Sequence, residues 1–259
     1  MIGGACVRCG GCIIAIQREA VVREKARLIS NQASYPTIYR MVKGISLCGG
    51  CLEELPFIRD DICQQCGRDM EFEIRIGNGG LCRDCVHGEV GQTLLVNRSL
   101  LRYDDGEKDL LGLFKYRGDE RLAAYYGALL AITAQCFYRS IGFTCITTVP
   151  LHSQRLRERG FNQVDLLARY LGTAIKTPVR PLLRRTKDTP KLSKQRGRVA
   201  RQESMREAFA WDGKEMDPRS KVLLIDDIYT TGSTLRSCAR TIKAHVGTSC
   251  EIYSLTIYR

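Results

Sequence analysis

The sequence predicts an α/β protein in two parts: a small cysteine-rich module, then a larger domain built on a parallel sheet. Three observations carry this. Nine of the thirteen cysteines fall in the first 85 residues, where they supply four CxxC pairs. From Val222 to Ile225, four consecutive apolar residues run into two carboxylates, the pattern of a buried parallel strand with chemistry at its C-terminal end. Next, the hydroxyl-rich turn Thr230 to Thr234 opens a helix with Leu235, Cys238, Ala239 and Ile242 on one face. We place the module at residues 1–90 and the sheet domain at residues 91–259.

Cys63 and Cys66 are separated from Cys82 and Cys85 by fifteen residues. That spacing sets four thiolates around one tetrahedral Zn²⁺; four reduced core cysteines are the plain alternative. Gly67 can take the left-handed backbone that such a knuckle needs. In the first set, Cys6, Cys9, Cys48 and Cys51 mirror the second site, and Cys12 is left spare. The insert Ile13 to Leu47 shows only a short helix near Arg18–Leu28. Four protein ligands close the coordination shell, so both zinc ions are structural, and chelation is expected to unfold the N-terminal part alone. Cys136, Cys145, Cys238 and Cys250 sit among apolar neighbours and fill core space.

The turn after the strand offers free backbone N–H groups, the positive end of a helix, and the hydroxyls of Thr230, Thr231, Ser233 and Thr234. A 5′-phosphate fits there, and Asp226 and Asp227 can accept hydrogen bonds from vicinal ribose hydroxyls. The plain alternative is an ordinary capped helix with Thr231 or Ser233 as N-cap. The two acids are expected to be exposed at the strand end and to contribute little to packing.

Charge is unevenly spread. The formal net charge is +12, and the segment from Arg155 to Arg206 holds fifteen basic against four acidic residues. Such clustering points to an anionic partner, phosphates or a nucleic-acid backbone, against the alternative of a solvated loop. Arg184, Arg185, Lys187, Lys191, Lys194, Arg196 and Arg198 are the nucleic-acid-binding candidates, with Tyr103, Tyr116 and Phe161 as aromatic platforms for a single strand. No apolar run reaches the roughly 18 residues of a membrane span. The segment Met1 to Ala5 lacks a secretory pattern, so a cytoplasmic protein without membrane insertion is expected.

The thirteen residues Val222–Thr234 resemble the phosphoribosyl-pyrophosphate (PRPP) signature of type I phosphoribosyltransferases. The CxxC pairs, Phe114-Lys115-Tyr116-Arg117-Gly118, Val149-Pro150-Leu151-His152 and Arg159-Gly160-Phe161-Asn162-Gln163 extend the resemblance, in order and spacing, to ComFC-like members of the ComF family. It implies a double zinc ribbon fused to a phosphoribosyltransferase-like domain, with a role in uptake of single-stranded transforming DNA. The ribose-binding, catalytic acids fall on Asp226 and Asp227, and the 5′-phosphate loop on Thr230, Thr231, Gly232, Ser233 and Thr234. The pyrophosphate loop falls near Leu151-His152-Ser153. Arg159 is a candidate pyrophosphate contact or a local hydrogen-bond donor; His152 has the same two readings, the local bond being favoured. The basic segment departs from the family pattern, with Ser204 where Asn is expected.

The resemblance implies PRPP and single-stranded DNA as ligands. Mg²⁺ is expected with PRPP, held mostly by substrate oxygens and water, and zinc ribbons, which also serve as docking surfaces, suit a helicase-like uptake partner. Three functions follow: a PRPP-binding protein that handles single-stranded DNA, a conventional phosphoribosyltransferase acting on a nucleobase or related amine, and a zinc scaffold with an inactive pocket. Metal analysis of protein purified without chelator is expected to give two Zn²⁺ per chain; one or none would remove the first-site assignment or both.

Overall fold

The structure, a computed structural model, describes residues 4–30, 33–59, 61–71, 80–86, 96–117, 120–187 and 208–259. The element order is α1 (Ala15–Ile29), α2 (Tyr35–Gly44), α3 (Gly49–Glu53), α4 (Arg83–Val86), β1 (Asn97–Leu101), α5 (Asp105–Arg117), α6 (Glu120–Phe137), β2 (Cys145–Thr148), α7 (Ser153–Arg159), α8 (Gln163–Ile175), β3 (Leu183–Arg185), β4 (Phe209–Trp211), β5 (Lys221–Ile228), α9 (Ser233–Val246) and β6 (Glu251–Tyr258). Strands β1, β6, β5 and β2 form, in that order, a parallel sheet, and β3 and β4 an antiparallel pair.

The apolar run of β5 is explained by burial on both faces, which is how a parallel strand normally sits. Alternation sends Leu223 and Ile225 into one core with α6 and α8, and Val222 and Leu224 into another with α9. The expected helix face of Leu235, Cys238, Ala239 and Ile242 lies in that second core, and Gly247 ends the helix. All four isolated cysteines are buried. The most apolar stretch of the chain forms α6; no described helix is long and apolar enough to cross a membrane.

Both zinc knuckles have one geometry. The N–H of Cys6 donates to the carbonyl of Gly11 and that of Cys63 to the carbonyl of Arg68, while Ala5 bridges Cys12 and Ile62 bridges Asp69. Cys12 thus occupies the outgoing arm of its knuckle, the place of Asp69 in the other. Gly10 and Gly67 follow the second cysteine of each pair at φ +74° and +68°. Gly67 is constrained twice, because a Cβ there would lie 2.8 Å from the carbonyl oxygen of Asn97 on β1.

The insert between the first two CxxC pairs folds as α1 and α2, a longer helical structure than the sequence suggests. Its organising residue is Arg18, 4% exposed, whose guanidinium donates to the carbonyls of Val42, Lys43 and Ile45. A buried cation there satisfies the open carbonyls at the end of α2 and complements the negative end of its dipole.

The ribbons share their packing with the sheet domain. Val22, Ile38, Leu47 and Leu52 belong to one hydrophobic cluster with Leu101, Phe114, Leu129 and Leu223, and Cys63, Cys66 and Met70 to the other with Val222 and Ile252. Unfolding confined to the N-terminal part would strip apolar cover from both faces of the sheet, so these contacts replace that expectation with a coupled one. The sole tryptophan, Trp211 on β4, packs against the second cluster and reports on it. Chelation is expected to lower the unfolding midpoint read from Trp211 fluorescence; an unchanged midpoint would mean that the ribbons melt independently.

Candidate functional site

The carboxyl ends of β2 and β5 are neighbours, yet the chain leaves them on opposite faces, through α8 and α9. A crevice opens where such connections diverge. Here it is a cleft of about 570 Å³ with Asp226, Asp227 and Thr234 against Val149, Pro150 and Leu151, and with Arg155, Arg159 and Arg185 among its walls.

The acids are not the free, exposed pair that the sequence suggests. Asp227 is 9% exposed; its Oδ2 accepts from the Lys115 ammonium at 2.8 Å and from the Gln163 amide at 3.1 Å. Asp226 is half-buried, and its Oδ1 accepts the backbone N–H of Asp227 at 2.9 Å. Burial, followed by the neighbouring Asp227 charge, pushes the Asp226 carboxyl up to about 8. Lys115 and Gln163 carry functions that sequence reasoning did not assign. Their signal was present, since each lies in a motif quoted for the family resemblance, but nothing in either motif says that both point at Asp227.

The run Arg159–Gln163 is a connector whose residues have separate tasks. Gly160 caps α7 at φ +77°, and the Asn162 side chain caps α8 by accepting from Val164 N–H. Asn162 also donates to the Val149 carbonyl at 3.3 Å, tying the start of α8 to the end of β2. Arg159 donates to Gln163 at 3.2 Å and lies 5.4 Å from the Tyr116 ring centroid, so it has a local partner while lining the cleft. His152 accepts from Gln154 N–H as the cap of α7.

At the phosphate-loop candidate, Gly232 is the N-cap of α9 at φ +72°. Neither Thr231 nor Ser233 is itself the cap, but the Thr231 hydroxyl accepts from Ser233 N–H at 3.4 Å and lies 3.0 Å from the Ser233 hydroxyl. Arg236 donates to the Thr231 carbonyl at 2.8 Å. No acidic residue occupies the first turn of α9, so its positive end is left for an anion.

Among the basic candidates, Arg185 lines the cleft, while Arg184, one residue away on β3, is exposed, as is Lys187. Lys191, Lys194, Arg196 and Arg198 lie outside the described residues. Tyr103 and Tyr116 line the cleft and Phe161 does not.

A raised carboxyl links this site to stability. Folded Asp226 holds a proton that an unfolded chain releases near 3.8, so stability falls as pH rises from about 4 to about 8 and then levels off. Asp226→Asn is expected to remove that contribution, gaining stability over the native chain at pH 8 relative to pH 5; equal differences at both pH values, read from denaturant midpoints, would refute the linkage.

The thiols form two groups, Cys6, Cys9, Cys48, Cys51 and Cys63, Cys66, Cys82, Cys85, with all sulfurs in each group within 4.8 Å of one another. Zinc–sulfur bonds of about 2.3 Å give a tetrahedron with edges of about 3.8 Å. Cys9 and Cys48 sulfurs are 3.8 Å apart and those of Cys66 and Cys82 3.6 Å. Backbone N–H groups of Gly11, Cys51 and Cys82 point at sulfurs of Cys9, Cys48 and Cys63. Both groups fit a structural zinc ion with four thiolates and no open position.

A family model described as a double zinc ribbon domain matches residues 39–86, which include all the paired cysteines except Cys6 and Cys9. The chain is 29% identical to competence protein ComFC of Bacillus subtilis over 235 residues, covering 89% of this chain and 91% of that one. It is 26% identical to competence protein F of Haemophilus influenzae, covering 76% and 84% of the two chains. To the DNA utilization protein YhgH of Salmonella typhi it is 27% identical, covering 81% and 96%. The likeness runs through both the ribbons and the sheet domain: over most of its length the chain is similar to ComFC-like competence proteins, and it carries a double zinc ribbon at its N-terminal side.

Proposed function

We propose that this protein binds PRPP through a phosphoribosyltransferase-like site and handles single-stranded DNA in natural competence. The observation that supports it is convergence: Lys115, Gln163 and the acid pair come from three distant segments to one cleft, beside a loop with hydroxyls and a helix N-terminus. In this assignment, Thr230–Thr234 receive the 5′-phosphate and Asp226 and Asp227 accept from the ribose diol, which takes over acceptor sites on Asp227 now used by Lys115 and Gln163. Lys115 then turns its charge to the pyrophosphate together with Arg159, and Mg²⁺ is held by ligand oxygens and water. Relatives named for competence and DNA utilization support setting this chemistry in DNA uptake.

The DNA-binding part of the proposal rests on the clustered charge. Arg155, Arg159 and Arg185 line the cleft beside Tyr103 and Tyr116, and exposed Arg184 and Lys187 precede in sequence Lys191, Lys194, Arg196 and Arg198. The ribbons would offer a docking surface to a helicase-like partner. One observation favours a second reading, transfer to a nucleobase or related amine: Tyr116, 66% exposed, sits under Arg159 and presents a flat face at the cleft.

Calorimetric titration of the zinc-loaded protein with PRPP–Mg²⁺ tests the site. Because Asp227 neutralises Lys115, Asn is a better replacement than Ala for keeping the fold. Hydrogen bonds to charged groups contribute about 1.5–3 kcal/mol each, so the Asp226→Asn, Asp227→Asn pair should weaken binding by roughly 10²–10⁴-fold. Affinity within tenfold of the native chain would refute the assignment.

Neutralising three or four of Arg184, Lys187, Lys191, Lys194, Arg196 and Arg198 should weaken single-stranded DNA binding irrespective of sequence. The log–log salt slope should flatten by about 0.7 per lost contact, with little change in PRPP affinity. Intact DNA binding with impaired release of pyrophosphate from PRPP would favour the transferase reading instead.

A further inference from the structure

Arg259 joins two features that the sequence keeps far apart. It follows β6, and its backbone N–H donates to the Leu101 carbonyl at 3.0 Å, fixing its position beside the edge strand β1. Its guanidinium then divides. Nη2 donates to the sulfur of Cys66 at 3.2 Å, while Nη1 reaches the carbonyls of Thr230 at 3.2 Å and Tyr229 at 3.4 Å. The guanidinium carbon lies 4.7 Å from the centroid of the Tyr229 ring, which is 5% exposed.

A loop that turns its N–H groups toward an anion must turn carbonyls the other way, and each of those needs a donor. Here three successive carbonyls are supplied by two arginines: Tyr229 and Thr230 by Arg259, Thr231 by Arg236. Arg236 also donates to the Tyr229 hydroxyl at 3.3 Å, so that ring is held at its edge and over its face. The planar fork of Arg259 cannot rotate one arm without moving the other. A cysteine that binds zinc is a thiolate, and its negative charge is what orients the arm pointing at Cys66.

We propose that Arg259 is a positioning residue that couples metal binding at Cys63, Cys66, Cys82 and Cys85 to anion binding at Thr230–Thr234. The ribbon then acts as the back support of the phosphate loop as well as a folding element. The anion half of this coupling rests on the PRPP assignment; the loop-ordering half does not.

The experiment compares the native chain with Arg259→Lys and Arg259→Ala, each loaded with zinc and verified as folded by circular dichroism. Hydrogen exchange of the amides from Tyr229 to Thr234 reads the loop directly. Exchange should rise about tenfold in Arg259→Ala, less in Arg259→Lys, and also in the native chain after removal of metal. PRPP–Mg²⁺ affinity should weaken about tenfold in Arg259→Ala, and coupling must be reciprocal: saturating PRPP should raise the native chain's zinc affinity, measured by competing chelator, and should not do so in Arg259→Ala. A residue with only a packing role would change thermal stability without touching that reciprocity.

Loop exchange within twofold of native in both variants would overturn the proposal, as would a reciprocal effect that survives in Arg259→Ala. A native chain that does not bind PRPP would instead remove the ligand assignment, and the exchange comparison with and without metal would still decide whether Arg259 connects ribbon and loop.

Discussion

A carboxylate at the end of a strand buried on both faces must be given partners, and Asp227 is in that position. Water cannot solvate it fully, so leaving its charge uncompensated would cost several kcal/mol. The partners are Lys115 at the end of α5 and Gln163 at the start of α8. Satisfying one acid therefore fixes how two helices approach the same strand end. The cleft is the space left between them, and Asn162, Gly160 and Arg159 are the local devices that keep α8 at that distance.

Half-buried Asp226, with its raised carboxyl, is the counterpart of that arrangement. Two carboxyl groups in one site resist carrying two charges, and Lys115 forms its ion pair with Asp227. The site accordingly combines a charged acceptor and a second group ready to ionise when a cationic or hydrogen-bonding ligand arrives. Such a pair is a poor choice for stability alone.

The ribbons solve a different problem. Alone, so short a cysteine-rich stretch cannot bury enough apolar surface to be stable, and metal coordination supplies what is missing. Once folded, they are built into the sheet domain: Gly67 approaches the backbone of Asn97, Asn97 donates to the Cys66 carbonyl, and Arg8 of the first knuckle reaches buried Glu107, which accepts from the Tyr258 hydroxyl. Tyr258 and Arg259, adjacent in sequence, thus connect to the two knuckles separately. The proposed boundary near residue 90 falls among residues 87–95, outside those described, and the contacts across it are as specific as those within either part.

By itself the sequence determined the features whose physics is local. Thiol spacing set the two metal sites and left Cys12 spare, because two CxxC pairs at a suitable separation already satisfy a tetrahedral ion. An unbroken apolar run set β5 as a doubly buried strand, and the acids, glycine and hydroxyls after it set a turn into a helix. Tertiary structure alone decided which groups meet. No pattern in Phe114–Gly118 or Arg159–Gln163 reveals that Lys115 and Gln163 share one carboxylate oxygen, and the acids looked exposed because burial at a strand end depends on what folds over it. The Arg259 link between the Cys66 sulfur and the loop at Thr230 exists only because β6 lies beside both β1 and β5. Spacing along a chain constrains neighbours within a few residues, whereas the pairing of distant charges is settled by the sheet order that brings them together.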